Sequence, residues 1–218
     1  MKAMDALRFA ADRHAGQTYG GIDGLPSYPY IHHCASVVII LQQFGVTDED
    51  ILMAGACHDV REDTNTTAWE VEKAIGKRAA EIVELVSNPD NVLTYSTTDG
   101  KEHSVYLFEH EEWVSPEDFD RFVLKNKLSR IQKHAIQYPR IATDEGAVLV
   151  KLADRIANIE TGGKIEMYRK EYKFFRNTLK PSDGPGWVDR EPSQAEYGMW
   201  RWLDKEMRWG LDKHSRMM

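Results

Sequence analysis

Apolar residues recur along most of this chain three and four positions apart, and the recurrence stops at glycine and proline. Residues 3–15 carry Leu7, Ala10, Ala11 and His14 on one helical face, and Gly16 ends that segment. Residues 16–29 are rich in glycine and proline and read as a loop. A second helix is predicted from Tyr30 through Val37, Val38, Leu41 and Phe44 to Gly45. Thr47-Asp48-Glu49-Asp50 resembles a capping box and opens a third, which is expected to run unbroken through Asp63. Thr66/Thr67 caps a fourth helix ending at Gly76, and residues 77–87 make a fifth with Ile82, Leu85 and Val86 inside. Over 88–115 the periodicity lapses, which predicts an irregular insertion with a short hairpin around Asp99-Gly100. Ser115-Pro116-Glu117-Asp118 starts a helix that Pro139 should stop. Further helices are predicted from Glu145 to Thr161, over 164–179, and from Pro192 onward after a Pro/Gly linker. Nothing alternates strand with helix, so the fold class is all-α. Residues 1–180 form the main domain, and 181–218 supply a linker and a helix packed on it.

At 218 residues one domain with a sizeable core is expected. The 28 Lys and Arg stand against 35 Asp and Glu, for a formal charge of −7. That balance argues against nucleic-acid or anionic-membrane partners. Cys34 and Cys57, both in apolar helical patterns, read as buried free thiols of a reducing compartment. The first residues lack a signal-peptide core, and the longest apolar run, Val37 to Leu41, is too short for a bilayer. A cytoplasmic location is the expectation.

One stretch carries chemistry. On a helical wheel at about 100° per residue, His58, Asp59, Glu62 and Asp63 continue the face that Ile51, Leu52 and Gly55 bury. Carboxylates there are costly to desolvate without a compensating cation, and His beside Asp suits a divalent metal. A solvated helix end with its acids facing water fits the same window. Two other places can join the pair: His33 at the start of the second helix, and Asp154 with Asn158 four residues on. Each alone fits a helix cap or an exposed ion pair equally well.

Together the stretches Phe9-Ala10-Ala11-Asp12-Arg13-His14-Ala15-Gly16-Gln17, Pro29-Tyr30-Ile31-His32-His33, His58-Asp59-Val60-Arg61-Glu62-Asp63-Thr64 and Val150-Lys151-Leu152-Ala153-Asp154-Arg155-Ile156-Ala157-Asn158 resemble the HD-domain phosphohydrolases. Within them the chain is most similar to the hydrolase half of the RelA/SpoT homologues and to the stand-alone small alarmone hydrolases. The resemblance implies an HD-domain helical bundle in which His33, His58, Asp59 and Asp154 hold a metal, usually manganese (Mn2+). It makes Glu62 and Asp63 the catalytic acidic pair and Asn158 a nucleotide contact, with Lys151 of the same block placed beside it. It implies removal of the 3′-pyrophosphate from guanosine tetra- or pentaphosphate, a small phosphorylated nucleotide, with carboxylates handling the proton of the attacking water.

Departures from the pattern bear on specificity. Tyr19 stands where the family usually has a base-contacting Arg; it can stack on a purine but brings no cation. Cys34 follows His33 where Pro is common. An adenosine alarmone or the 2′-phosphate of NADPH is the alternative substrate, and a silent nucleotide-binding regulator is the alternative class. In the helix over 164–176, Lys164, Arg169, Lys170, Lys173 and Arg176 oppose only Glu166 and Glu171. Lys164 and Arg169 are therefore expected to meet the distal phosphates. Residues 88–115 and 181–218 have no counterpart in the resemblance, which leaves open a lid, a homo-oligomer contact or added packing.

Overall fold

The computed structural model describes residues 2–20, 27–88, 92–96, 102–106, 130–161, 165–180 and 191–215. The chain forms two compact units, one from Met1–Ser87 with Tyr138–Met218 and the other from Asn88–Gln137. In the first, helices α1 (Ala3–Arg13), α2 (Ile31–Gln43), α3 (Glu49–Cys57), α4 (Val60–Asp63), α5 (Ala68–Ile75) and α6 (Lys77–Val86) follow in order. Next come α7 (Arg130–Ala142), which starts in the second unit and whose residues from Tyr138 on belong to the first, then α8 (Glu145–Glu160), α9 (Ile165–Leu179) and α10 (Gln194–Ser215). The all-α expectation holds, and no described helix is long and apolar enough to cross a membrane.

The helices begin where short polar side chains can take up free backbone N–H groups. Asp48 caps α3 through Asp50 N at 2.8 Å, Thr67 and Glu70 form a reciprocal capping box on α5, and Asp144 accepts from Ala147 N at 3.0 Å on α8. Gly45 lies at φ 89°, a left-handed conformation that closes α2 at little steric cost. α3 is buried from Leu52 to Cys57 and packs on α1, α2, α6 and α8. α8 is buried on nearly every side between Gly146 and Ile159, as expected of a central helix rather than an amphipathic one. The core is thus built around α3, which ends just before His58, and α8, which carries Asp154.

Three expectations are corrected. The loop over 16–29 contains a short antiparallel ribbon, β1 (Thr18–Gly20) with β2 (Ser27–Pro29), pairing Tyr19 with Tyr28. Strands of three residues are too short to show a period. The third helix breaks between Cys57 and Val60, because the His58 imidazole takes the Gly55 carbonyl through Nδ1 at 2.9 Å. A new turn then starts on the Asp59 carbonyl, which accepts from Glu62 N and Asp63 N at 3.1 and 2.9 Å. Finally, α7 continues through Pro139 to Ala142. A mid-helix proline costs about 3 kcal/mol, but Tyr138 and Ile141 on either side are wholly buried, each side chain contributing about 2 kcal/mol.

In the second unit, β3 (Val92–Ser96) and β4 (Glu102–Tyr106) pair antiparallel with Ser96 opposite Glu102, a hairpin as predicted. The turn at Asp99-Gly100 and the start of the helix at Ser115 lie outside the described residues.

Candidate active site

His33 lies in the first turn of α2, held there by its N–H on the Tyr30 carbonyl at 2.9 Å. His58 follows the last residue of α3, and Asp154 sits in the middle of α8. Because α2, α3 and α8 pack on one another, the three side chains meet, their ligating atoms all within 4.8 Å of one another. His33 Nε2 and His58 Nε2 are 3.2 Å apart. Asp154 Oδ1 lies 3.4 Å from the first and 3.7 Å from the second. Asp59 Oδ2 completes the group at 3.4 Å from His33 Nε2 and 3.0 Å from His58 Nε2.

These separations fit a shared divalent ion. Donors about 2.0–2.2 Å from one centre stand roughly 2.8–3.6 Å apart, between right-angle and tetrahedral arrangements, a range that holds each of these separations except the slightly longer 3.7 Å from His58 to Asp154. His58 gives its Nδ1 proton to the Gly55 carbonyl, which leaves the Nε2 lone pair facing the cluster. His33 Nδ1 is buried with no hydrogen-bond partner among the described residues, so that ring is oriented by the cluster and its stacking alone. Burial works against charge on both imidazoles, yet the Asp154 and Asp59 carboxylates outweigh it and raise both above the usual histidine range. Burial likewise works against the two carboxylates. The His58 charge and the His33 hydrogen bond still pull Asp59 far below the usual range, and Lys151 with His33 does the same for Asp154. Two carboxylates and two imidazoles so arranged require positive charge between them, and protons or a divalent metal can supply it.

Around this group stand side chains that sequence reasoning assigned elsewhere or passed over. The Tyr19 ring stacks on His33 with centroids 4.4 Å apart, and its hydroxyl donates to Asn158 Oδ1. Asn158 Nδ2 in turn donates to Asp154 Oδ1 at 2.5 Å. Tyr19 therefore touches the His33 and Asp154 group directly through His33 and by way of Asn158. Lys151, expected at the substrate, places its ammonium 3.2 Å from Asp154 Oδ2, with the Glu62 carboxylate also acting on it. Arg169 pairs with Glu166 on its own helix at 2.5 Å, and Lys164 lies outside the described residues.

Asp63 lies on the far side of Tyr30, whose hydroxyl is 2.8 Å from Asp59 Oδ2 and 2.5 Å from Asp63 Oδ2. His14 stacks on Tyr30 at 4.4 Å and bonds Gln17 Oε1 at 2.8 Å. Gln17 Nε2 donates to the Asp63 carbonyl at 2.7 Å. The His14-x-x-Gln17 spacing was the available signal for this group. Arg155, next to Asp154, is 3% exposed, with Tyr168 and Phe175 rings at 4.1 and 4.2 Å.

Known proteins resemble this chain over most of its length. The HD domain family matches residues 6–173. The bifunctional (p)ppGpp synthase/hydrolase SpoT of Escherichia coli K12 is 29% identical over 175 residues, 80% of this chain but only 20% of that protein's length. The human guanosine-3′,5′-bis(diphosphate) 3′-pyrophosphohydrolase MESH1 is 31% identical over 157 residues, 72% of this chain and 66% of that one. A metazoan orthologue of SpoT, described as hydrolysing ppGpp, superposes with a TM-score of 0.61. That likeness covers 95% of this chain and 94% of the other at 21% identity, and it is one of fold. By the match over residues 6–173 and the helical fold that carries His33, His58, Asp59 and Asp154, the chain belongs to the HD domain family.

Proposed function

We propose that this protein is a metal-dependent phosphohydrolase that removes the 3′-pyrophosphate from a guanosine 3′,5′-bis(diphosphate)-type nucleotide. The observation that carries the reading is the convergence of His33, His58, Asp154 and Asp59, with Asp63 one hydroxyl away. The named activity of the relatives supplies the substrate class.

In this reading His33, His58, Asp59 and Asp154 hold one divalent ion, and the mixed imidazole and carboxylate set suits manganese (Mn2+). Such an ion neutralises phosphate charge and lowers the pKa of water at neutral pH. Asp63 and Glu62 orient the attacking water and take its proton. The water oxygen forms the new bond to phosphorus, the 3′-oxygen–phosphorus bond breaks, and the 3′-oxygen leaves with a proton. Tyr19 and Asn158 contact the nucleoside from beside Asp154, and Lys151 keeps Asp154 ionised. Lys164 and Arg169 meet the distal phosphates, which requires Arg169 to leave Glu166.

Tyr19, which brings no cation to the base, favours testing an adenosine alarmone or NADPH as the second reading. Purified protein with Mn2+ should release pyrophosphate and a guanosine 5′-diphosphate-type product, and chelation should stop it. Release of phosphate from NADPH with none from the guanosine nucleotide would replace the first reading by the second. No turnover of any of them with metal bound would leave a binding protein.

A further inference from the structure

Asp63 is exposed and ends a helix of four residues, a place where a carboxylate would ordinarily wander in water. Here it is held at both ends. Its main-chain carbonyl accepts from Gln17 Nε2 at 2.7 Å, and its Oδ2 lies 2.5 Å from the Tyr30 hydroxyl. The Tyr30 ring is itself fixed by its stack on His14 at 4.4 Å, and by edge contacts with Tyr19 at 5.6 Å and His33 at 5.9 Å. Gln17 joins the two supports, since its carbonyl accepts from Tyr30 N at 3.1 Å and its side chain binds His14.

The same hydroxyl lies 2.8 Å from Asp59 Oδ2. One O–H has one proton and cannot serve two carboxylates at once. A cation on Asp59 weakens that oxygen as an acceptor, and the hydroxyl then turns to Asp63. We propose that Tyr30 is a positioning residue that fixes the Asp63 carboxylate when the metal site is filled, so that metal occupancy and the readiness of Asp63 are linked. Pinning Oδ2 leaves Oδ1 to accept the proton of the attacking water. The inference rests on the catalytic role proposed above for Asp63 and on the metal held by Asp59.

Tyr30→Phe keeps the ring and its stacking and removes only the hydroxyl. At saturating Mn2+ its kcat should fall about 10–100-fold, the worth of one hydrogen bond to a charged group, with KM little changed. Mn2+ affinity, measured by calorimetry without substrate, should stay near the parent's. In an Asp63→Asn background the same change should add almost nothing, because Tyr30 acts through Asp63. Gln17→Leu, which frees the Asp63 carbonyl and spares both hydroxyl contacts, should lower kcat in the same pattern by a smaller factor.

If Tyr30 instead orients Asp59 for the metal, Tyr30→Phe loses about 10–100-fold in Mn2+ affinity and regains the parental kcat at saturating metal, which overturns the inference. A full-size drop in kcat within the Asp63→Asn background also overturns it. Parental turnover in Asp63→Asn itself removes the reading of Asp63, and that outcome is distinct from the other two.

Discussion

Gly55 gives the sharpest test of how the helices set the site. A Cβ placed there would come 2.6 Å from Leu41 Cδ1 and 3.4 Å from Val37 Cγ1, both on α2 and both without solvent exposure. Two effects oppose each other in Gly55→Ala. Alanine in place of glycine inside a helix contributes about 1 kcal/mol, whereas overpacking a filled core costs about 1–3 kcal/mol. Leu41 is wholly buried, so overpacking should win by about 1 kcal/mol, a melting temperature lower by about 2–4 °C for a chain of this size. The functional consequence is larger. The Gly55 carbonyl holds His58 Nδ1 at 2.9 Å, so separating α3 from α2 moves a proposed ligand and should lower metal affinity about 10–100-fold. Thermal melts with chelator and calorimetric Mn2+ titrations read the two effects separately. Adding Leu41→Ala should restore metal affinity without restoring stability. A variant Gly55→Ala that melts about 2–4 °C higher than the parent with unchanged affinity would refute the reasoning, since the close approach would then cost nothing.

Other expectations are as direct. His58→Ala and Asp154→Ala should bind no stoichiometric Mn2+ by calorimetry, and the second also strands the Lys151 ammonium now 3.2 Å from Asp154. Glu62→Ala and Asp63→Ala should retain the metal and lose about 10²–10⁴-fold in turnover under steady-state assay. Without metal, His33 and His58 have folded pKa values above 6.5, so their contribution to stability is complete below 6.5 and lost as pH rises through the folded values. Asp59 and Asp154 are depressed below 3.8, so their contribution is present above 3.8 and lost as pH falls through the depressed values. Melting temperature measured with chelator should therefore peak between 3.8 and 6.5 and decline above, while Mn2+ suppresses the alkaline decline. A metal-free protein that grows steadily more stable above 6.5 would contradict the assignment. Arg155→Ala should destabilise by roughly 2–4 kcal/mol in denaturant unfolding, because it removes a cation stacked on two buried rings.

Most helix boundaries were legible in the sequence because local chemistry decides them. Asp48, Thr67, Gly45 and Gly76 act within four residues of themselves, and the apolar residues of α8 recur along its whole length because partners surround it on nearly every side. The blocks around His33, His58 and Asp154 were likewise visible as short motifs, and their grouping was implied by family resemblance. Their distances were not, because His33 and His58 are 25 residues apart and approach only where α2, α3 and α8 pack. The helix break after Cys57 depends on a side chain taking a backbone acceptor, a competition that apolar periodicity does not record. The burial of Arg155 beside Asp154 depends on the Tyr138 hydroxyl at 3.1 Å and on the rings of Tyr168 and Phe175 from α9, all contacts made by tertiary packing. Tyr30 between Asp59 and Asp63 is the plainest case. Its hydroxyl meets partners 29 and 33 residues away, so its role comes from tertiary packing, which decides where a single proton can go.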